Sequence, residues 1–165
     1  MYIIYPMKIR IIAIGKIKEN YLKEGIKEYI ARISPFCDIQ IVELPDQPVK
    51  DNPNDSDIEK VKNLEGKKVL QLLKSNDFVI NLDLNKKEMD SIEFSNYLIK
   101  KLELGGSNLT FVIGGSYGLS DELKQRANDS VSLSKMTFLH QMTRLILLEQ
   151  IYRAFKIYNN QTYHK

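Results

Sequence analysis

FVIGGSYGLS, residues 111–120, and LSKMTFLHQMTRLILLEQIYRAFKI, residues 133–157, are the two stretches that decide how this chain folds. The first is an apolar run that enters Gly114 and Gly115, where backbone N–H groups lie bare because no Cβ covers them. The second opens as a polar loop and continues with helical spacing of its apolar residues. Two loops of this kind at strand ends suit a small polar ligand that is bound through main-chain hydrogen bonds.

Elsewhere in the chain, short apolar runs alternate with segments of helical spacing. Such runs predict strands that are covered on both faces, and apolar residues every three or four positions predict amphipathic helices. The predicted strands are Lys8–Ile14, Asp38–Leu44, Phe78–Leu84, Leu109–Ile113 and Val131–Leu133, and the predicted helices are Glu19–Ile33, Asp57–Lys74, Ser91–Leu104, Leu119–Ala127 and Gln141–Ile157. This alternation predicts an α/β fold, a mostly parallel sheet with helices on both faces, joined by right-handed crossovers.

Helix ends and one helix interior carry further signals. Asp55 or Ser56 is the predicted N-cap of the second helix and Ser91 of the third, because short polar side chains accept hydrogen bonds from the first free N–H groups. Gly66 weakens the middle of the second helix and is a point where that helix could divide.

Length and composition indicate a single domain over residues 1–165, in which 43% of the residues are hydrophobic and 27% are charged. Residues 1–6 are interpreted as an N-terminal extension, because Met7-Lys8 has the form of an alternative start.

Basic residues are concentrated near both ends: residues 8–32 hold seven Lys or Arg against three Glu, and residues 133–165 hold five against one Glu. If the fold brings the ends together, they form an anion-facing surface; an ordinary solvated surface is the alternative.

Several classes of protein and site are disfavoured by the sequence. Cys37 is the only cysteine, so no intrachain disulfide can form and a cytoplasmic location is expected. No segment approaches the roughly 20 apolar residues that span a membrane, and Tyr2–Pro6 lacks the features of a signal peptide. His140 and His164 are the only histidines, and with one cysteine they make no zinc site, so no metal is predicted. Neither a dinucleotide fingerprint nor a P-loop is present.

In parallel sheets the ligand binds beyond the carboxyl ends of the strands. That rule predicts one rim formed by three loops, Leu82–Asn85, Gly114–Gly118 and Leu133–Leu139. Two plainer interpretations stay open: the glycines need only serve a tight turn, and the last loop could be an extension of its strand.

The last helix has an apolar surface that is wider than an ordinary stripe. One side could face the sheet and the other a partner subunit, or the helix could be the central core helix of a monomer. Arg144 and Arg153 on this helix could reach an anionic ligand, although surface ion pairs are an equally good explanation. A lone histidine before a helix, here His140, is more often a capping or packing residue than a catalyst.

Together with FVINLDL at residues 78–84, MKIRIIAIGKIKENY at residues 7–21 and the C-terminal YHK, the two opening stretches resemble a known family. The family is that of the SPOUT-class methyltransferases that act on N3 of a pseudouridine in large-subunit (23S) ribosomal RNA. The resemblance covers Met7–Lys165. It implies a SPOUT (α/β-knot) fold in which the C-terminal segment passes through a loop to form a trefoil knot. It also implies a homodimer in which each active site is completed by the other subunit.

The same resemblance implies S-adenosylmethionine (SAM) as the methyl donor, and no metal. Its substrate would be a pseudouridine in a hairpin loop of the large-subunit RNA, recognised in assembled ribosomes. The residues that the resemblance assigns to the donor lie in the three rim loops; they are Leu82, Gly114, Leu133, Ser134, Lys135, Met136, Thr137 and Phe138.

The implied reaction moves a methyl group to N3 of the base, and that nitrogen must first lose its proton. His140, His164 and Tyr163 are the candidates for assisting this deprotonation. Arg144 is the candidate for stabilising negative charge on the base as it forms.

The chain departs from the family pattern at two places. Leu139 stands where the family usually has proline, which would fix the backbone before the last helix. Leu84-Asn85-Lys86 stands where relatives often carry glycine. Two rival functions remain: a SPOUT-like RNA-binding factor without activity, and a flavodoxin-like protein that binds phosphate at the glycine turn.

Overall fold

The computed structural model describes residues 7–104 and 108–163, so residues 1–6, which are predicted to be an N-terminal extension, and His164 lie outside the described residues. Its elements in chain order are β1 (Lys8–Ile14), α1 (Asn20–Ile33), β2 (Asp38–Leu44), α2 (Asp55–Leu70), β3 (Phe78–Glu88), α3 (Ser91–Leu104), β4 (Leu109–Ile113), α4 (Asp121–Arg126), β5 (Asp129–Ser132) and α5 (His140–Tyr158). The strands pair in the order β2-β1-β4-β3-β5, and each of the four pairings is parallel. The predicted α/β fold with a parallel sheet is therefore confirmed.

Residues on alternate sides of β1 divide the core into two layers. Ile9, Ile11 and Ala13 belong to the larger cluster, which also takes buried residues from α1, α3 and α5. Ile12 and Ile14 belong to the smaller one, which takes residues from α2, α4 and the segment before α4. The helices therefore cover both faces of the sheet, as the near-continuous apolar strands require.

The largest strand differences concern β3 and β5. β3 was predicted to end at Leu84 but runs to Glu88, because its pairing with β5 breaks after Leu82 and resumes at Lys87. Within the interruption Asn85 has a φ of +58°, a left-handed conformation that asparagine tolerates better than most residues. Asn85 therefore adopts a conformation that also suits glycine, the residue that the family resemblance implies near this position.

The second helix differs from its prediction at both ends. It ends at Leu70 and begins at Asp55, and its N-cap is Asn54 rather than Asp55 or Ser56. The Asn54 side chain accepts from the Asp57 N–H at 2.8 Å, and the Asp57 carboxylate accepts from the Asn54 N–H at 3.0 Å. These reciprocal bonds satisfy two backbone donors at once.

Gly66 does not divide this helix. A Cβ built on Gly66 would lie 2.3 Å from Oγ of Ser120, the N-cap of α4. Gly66 is therefore the place where α2 packs closely against α4. Because Ser120 is the cap, α4 is shorter than the predicted Leu119–Ala127.

The cap of α3 is Asp90 and not Ser91. Its carboxylate accepts from the Glu93 N–H and its own N–H donates to the Glu93 carboxylate, each at 2.8 Å. The Ser91 hydroxyl instead bonds the Gln150 side chain of α5 at 2.8 Å. Ser91 thus joins α3 to α5.

The last helix lies between α1 and α3 on one face of the sheet. Gly25 of α1 lies against Leu145, and the Ser95 hydroxyl of α3 donates to the Ala154 carbonyl at 2.7 Å. Packing within one chain therefore accounts for most of its wide apolar surface.

The strand order, with β4 inserted between β1 and β3, is compatible with a knot, but the threading itself stays a prediction.

Within residues 7–104 and 108–163, none of the helices is long and apolar enough to cross a membrane.

Candidate active site

A cavity of about 640 Å³ opens at the carboxyl ends of β4 and β5 and beside the point after Leu82 where the pairing of β3 with β5 breaks. The three predicted rim segments meet there, since Leu82–Leu84, Gly114–Gly118 and Leu133–His140, except Lys135, all contribute to its lining. The prediction of a loop at Leu82–Asn85 is wrong, because this segment lies within β3. Of the eight residues assigned to the methyl donor, seven line the cavity; they are Leu82, Gly114, Leu133, Ser134, Met136, Thr137 and Phe138. The Lys135 side chain is exposed and does not line it.

The glycine turn leaves its backbone open to this cavity. Gly115 and Gly118 face each other in a bridge, with the Gly118 N–H donating to the Gly115 carbonyl at 3.1 Å. Gly118 has a φ of +89°, and a Cβ on Gly114 would lie 3.1 Å from the Gly118 carbonyl oxygen. The turn therefore needs glycine at positions 114 and 118. The same lack of side chains exposes main-chain groups to a ligand.

The loop after β5 is not a strand extension, because β5 ends at Ser132. The Ser132 hydroxyl donates to the Ser134 carbonyl at 2.9 Å, and the Ser134 hydroxyl accepts from the Met136 N–H at 3.0 Å. These local bonds hold the loop open and turn two apolar side chains outwards: Met136 is 74% exposed and Phe138 is 37% exposed. Large apolar groups therefore stand at the cavity mouth, where planar rings can pack on them.

Three charged side chains that line the cavity were not among the site residues predicted from the sequence. Asp83 follows Leu82 within β3, where the pairing with β5 is interrupted, and Lys124 of α4 lies 4.0 Å from its carboxylate. Lys62 of α2 also lines the cavity. Asp83 could have been found, since it falls inside a predicted loop, whereas the two lysines lie on helices whose position over the sheet no local pattern reveals.

His140 is the first residue of α5 and lines the cavity. A Cβ on Gly15 would lie 3.1 Å from its Nε2, so the imidazole rests against the end of β1. Burial lowers the pKa of His140 below its ordinary 6.5, the charge of Arg144 lowers it further, and Asp46 partly opposes this. His140 is therefore uncharged at neutral pH and can accept a proton.

Arg144 is fully buried and lies behind the cavity wall, not among the residues that line it. Nη1 is 2.5 Å from Oε2 of Glu43, and Nη2 donates to the carbonyls of Ile14 at 3.1 Å and Gly15 at 2.6 Å. The guanidinium thus ties α5 to the ends of β1 and β2. It has no direct path to a substrate base in this arrangement.

Tyr163, another catalytic candidate, also lies away from the cavity lining. Its hydroxyl donates to the Glu149 carboxylate at 3.1 Å and lies 3.3 Å from the Tyr29 hydroxyl, while its ring packs edge-on against Tyr152. Burial raises the pKa of Tyr163, and the hydrogen bond to Tyr29 and the charge of Glu149 raise it further. In this arrangement the phenol holds its proton.

Glu65 of α2 is a buried carboxyl group behind the glycine turn, and its side chain has no place in the predicted chemistry. Oε2 accepts from the Gln47 N–H at 2.9 Å, while Oε1 has no partner among the described residues. A Cβ on Gly115 would lie 2.9 Å from Oε1. Burial raises the pKa of Glu65 above its ordinary 4.5, against the opposing effect of the Gln47 hydrogen bond.

Glu65→Gln should stabilise the protein at pH 8. A raised pKa in the folded state gives stability that is present below pH 4.5 and is lost as the pH rises through the raised value. Glutamine keeps an acceptor for the Gln47 N–H but carries no charge. The free energy of unfolding in urea, measured from pH 4 to pH 8, should show a benefit that grows with pH.

The exposed Glu24→Gln in α1 is the matched control and should leave the free energy of unfolding at pH 8 nearly unchanged. A Glu65→Gln protein that is less stable than the parent at pH 8 would show that the ionised carboxylate is not costly.

Leu139→Pro should stabilise the protein by about 0.4–1 kcal/mol, because the folded backbone already suits proline. Leu139 has a φ of −56°, within the range that the proline ring fixes, and its side chain is 58% exposed. Its N–H donates no backbone hydrogen bond among the described residues. Urea unfolding of Leu139→Pro and of Leu139→Ala separates the fixed φ from the lost side chain, and equal stabilities of the two would contradict the expectation.

Comparison with known proteins identifies the family. Residues 7–164 match the family model described as "Predicted SPOUT methyltransferase". A protein from Carboxydothermus hydrogenoformans named ribosomal RNA large subunit methyltransferase H is 48% identical over 159 residues, which cover 96% of this chain and 100% of that protein. A protein of the same name from Clostridium botulinum strain Eklund 17B is 50% identical over the same shares of both chains.

Solved structures share the fold at low identity. A Legionella pneumophila protein described as a methyltransferase in complex with SAM superposes with a TM-score of 0.51 at 12% identity, over 90% of this chain and 67% of that one. The tRNA (m1G37) methyltransferase of Aquifex aeolicus superposes with a TM-score of 0.50 at 9% identity, over 90% and 69%. Since the family match spans nearly the whole chain and the relatives are about half identical over their full length, the chain belongs to the SPOUT methyltransferases.

Proposed function

We propose that the protein is a SAM-dependent methyltransferase that methylates N3 of a pseudouridine in large-subunit (23S) ribosomal RNA. It acts in the cytoplasm as a homodimer on assembled ribosomes. The name of its relatives supplies the class of RNA. The observation that carries the donor site is the cavity at the strand ends, where bare glycine backbone faces an apolar mouth.

The residues present fit the methyl donor. A volume of about 640 Å³ lies within the roughly 300–1,000 Å³ that is usual for such ligands. Leu82, Gly114 and the loop Leu133–Phe138 would hold it, with backbone N–H and C=O groups toward the adenine edge and apolar side chains against its faces. When bound, SAM supplies a methyl group on a positively charged sulfur.

His140 provides the acid–base chemistry on this chain. N3 of the base carries a proton at neutral pH, and an uncharged imidazole on the cavity wall can accept it. Tyr163 remains a further candidate although it does not line the cavity, and His164 remains one that lies outside the described residues.

Basic side chains near the cavity support an RNA substrate. Lys16 and Lys18 are exposed on the segment that follows Gly15, against which His140 rests. Lys62 and Lys124 line the cavity itself. Phosphate contacts of this kind make RNA affinity fall steeply with salt.

The apolar cavity mouth supports the homodimer. Leu84, Met136 and Leu139 are 45%, 74% and 58% exposed and belong to one rim. Apolar groups clustered on a surface are suited to burial against a second subunit. A tail contributed by that subunit would also bring His164 to the chemistry.

Calorimetric titration with SAM, followed by methyl transfer to ribosomes that lack the modification, tests the proposal. We expect one SAM per subunit and a gain of one methyl group on a pseudouridine of the large-subunit RNA, measured by mass spectrometry of RNA fragments. Binding of RNA without binding of SAM, with or without ribosomes, would instead identify a non-catalytic RNA-binding factor.

A further inference from the structure

We propose that Arg144 is a positioning residue for His140: it fixes Gly15 beneath the imidazole and holds a positive charge beside the ring at the cavity wall. This inference rests on the proposed function, because it concerns the group that takes the proton from the RNA base. It gives Arg144 a part in the reaction that needs no contact with the substrate.

The guanidinium is held at three acceptors on two strands. Glu43 of β2 binds Nη1, while the carbonyls of Ile14 and Gly15 bind Nη2. Oε2 of Glu43 also accepts from the Ile17 N–H at 3.0 Å, so the segment after β1 is tied down on both sides of Gly15. A planar fork of fixed donors can hold such a set of acceptors, and a lysine ammonium cannot match it.

Gly15 transmits this restraint to His140. Its N–H donates to the Leu44 carbonyl at 2.7 Å, its carbonyl accepts from Arg144, and its φ is +100°. A Cβ built there would lie 3.1 Å from Nε2 of His140 and 3.7 Å from Nη2 of Arg144. The imidazole and the guanidinium therefore both lie against Gly15, which follows β1 and has no side chain.

Charged groups on several elements act on His140 or share its cavity. Arg144 lies on its own helix, Glu43 on β2 and Asp46 on the loop after β2. Asp83 of β3, Lys62 of α2 and Lys124 of α4 line the same cavity. The result is a lowered pKa for His140, for which burial is the first cause and the charge of Arg144 the second. Glu43 neutralises part of that charge.

This network gives opposite expectations for two variants that remove charge. Arg144→Gln removes the cation, so the pKa of His140 should rise toward 6.5. Glu43→Gln keeps an acceptor for Arg144 and Ile17 but removes the anion, so the pKa of His140 should fall further. If Arg144 only stabilised the fold, both changes would loosen the site, and the pKa would rise in both.

The measurement is an NMR titration of the His140 imidazole in the full-length protein without SAM or RNA. The chain has two histidines, so a His140→Gln variant assigns the signals. Shifts in opposite directions support the proposal. An unchanged titration in both variants, or shifts in the same direction, would overturn it. Glu43→Gln decides alone if Arg144→Gln does not fold, because the Glu43 side chain is 41% exposed and its replacement is mild.

Single-turnover methylation of ribosomes supplies the functional arm. Arg144→Gln should lower the rate by a larger factor than it lowers SAM affinity, and should move the acid limb of the pH–rate profile to higher pH. An acid limb that stays in place would overturn the link to His140. Absence of methyl transfer by the parent protein would overturn the proposed function alone, since the NMR shifts need no reaction.

Discussion

Replacing Gly114 by leucine should abolish SAM binding while the chain stays folded. A Cβ at this position would lie 3.0 Å from Cδ2 of Leu119 and 3.1 Å from the backbone of Gly118, so even the first carbon crowds the turn. The remaining atoms of leucine must then enter the cavity or push the turn away from it. We expect a loss of at least about 100-fold in affinity, or about 2.8 kcal/mol, measured by calorimetry.

A graded series separates the cavity from general crowding. Gly114→Ala adds only the crowded carbon and should weaken binding less than leucine does. Gly25→Ala adds a methyl group in α1, where the nearest atoms are the flexible Leu145 side chain at 3.2 Å, and should leave SAM affinity unchanged. Folded Gly114→Leu protein that bound SAM as the parent does would show that the donor site lies elsewhere.

Much of the fold could be predicted because buried parallel strands are apolar on both faces and end at residues that break them. β1, β2, β4 and α3 begin and end where the sequence predicts. β3 and β5 differ because their pairing is interrupted, and an interruption depends on the partner strand rather than on local pattern. The cap Asp90 precedes the expected Ser91 by one position, and the cap Asn54 precedes the expected Asp55 or Ser56 by one or two, which is the usual precision of a boundary.

The strand order could not be predicted from the residues. Five apolar runs of similar composition carry no signal of which neighbour each one takes, so the insertion of β4 between β1 and β3 follows only from the complete packing. The location of the site was easier to predict than the strand order, because the rule that ligands bind at the carboxyl ends of strands needs only the strand direction. This rule correctly placed all three predicted segments at one cavity, but it gave no indication of Lys62 and Lys124, which reach the cavity from helices.

Arg144 shows where pattern reasoning reaches its limit. On the sequence it is a charged residue near the start of a helix, suited to an anionic ligand. Its partner Glu43 is 101 positions away and the carbonyls of Ile14 and Gly15 are still more distant along the chain. Only the fold shows that these acceptors converge on one buried guanidinium.

Arg144→Met should lower the free energy of unfolding by about 3 kcal/mol, at the lower end of the roughly 3–5 kcal/mol for breaking a buried ion pair. Methionine fills space but leaves the Ile14 and Gly15 carbonyls and the Glu43 carboxylate without their donor. The lower end applies because the Glu43 side chain is 41% exposed and can turn toward water. Urea unfolding with linear extrapolation measures the loss.

Arg32→Met is the matched control, because Arg32 forms an i,i+4 pair with Glu28 in which both side chains are exposed. It should lower the free energy of unfolding much less than Arg144→Met does. Adding Glu43→Met to Arg144→Met removes the stranded carboxylate, so the double variant should lose less than the two single losses together. Equal losses for Arg144→Met and Arg32→Met would mean that burial adds nothing to this pair. A large loss that the second change partly reverses would show that the cost lies in the acceptors left behind, the same acceptors that hold Gly15 beneath His140.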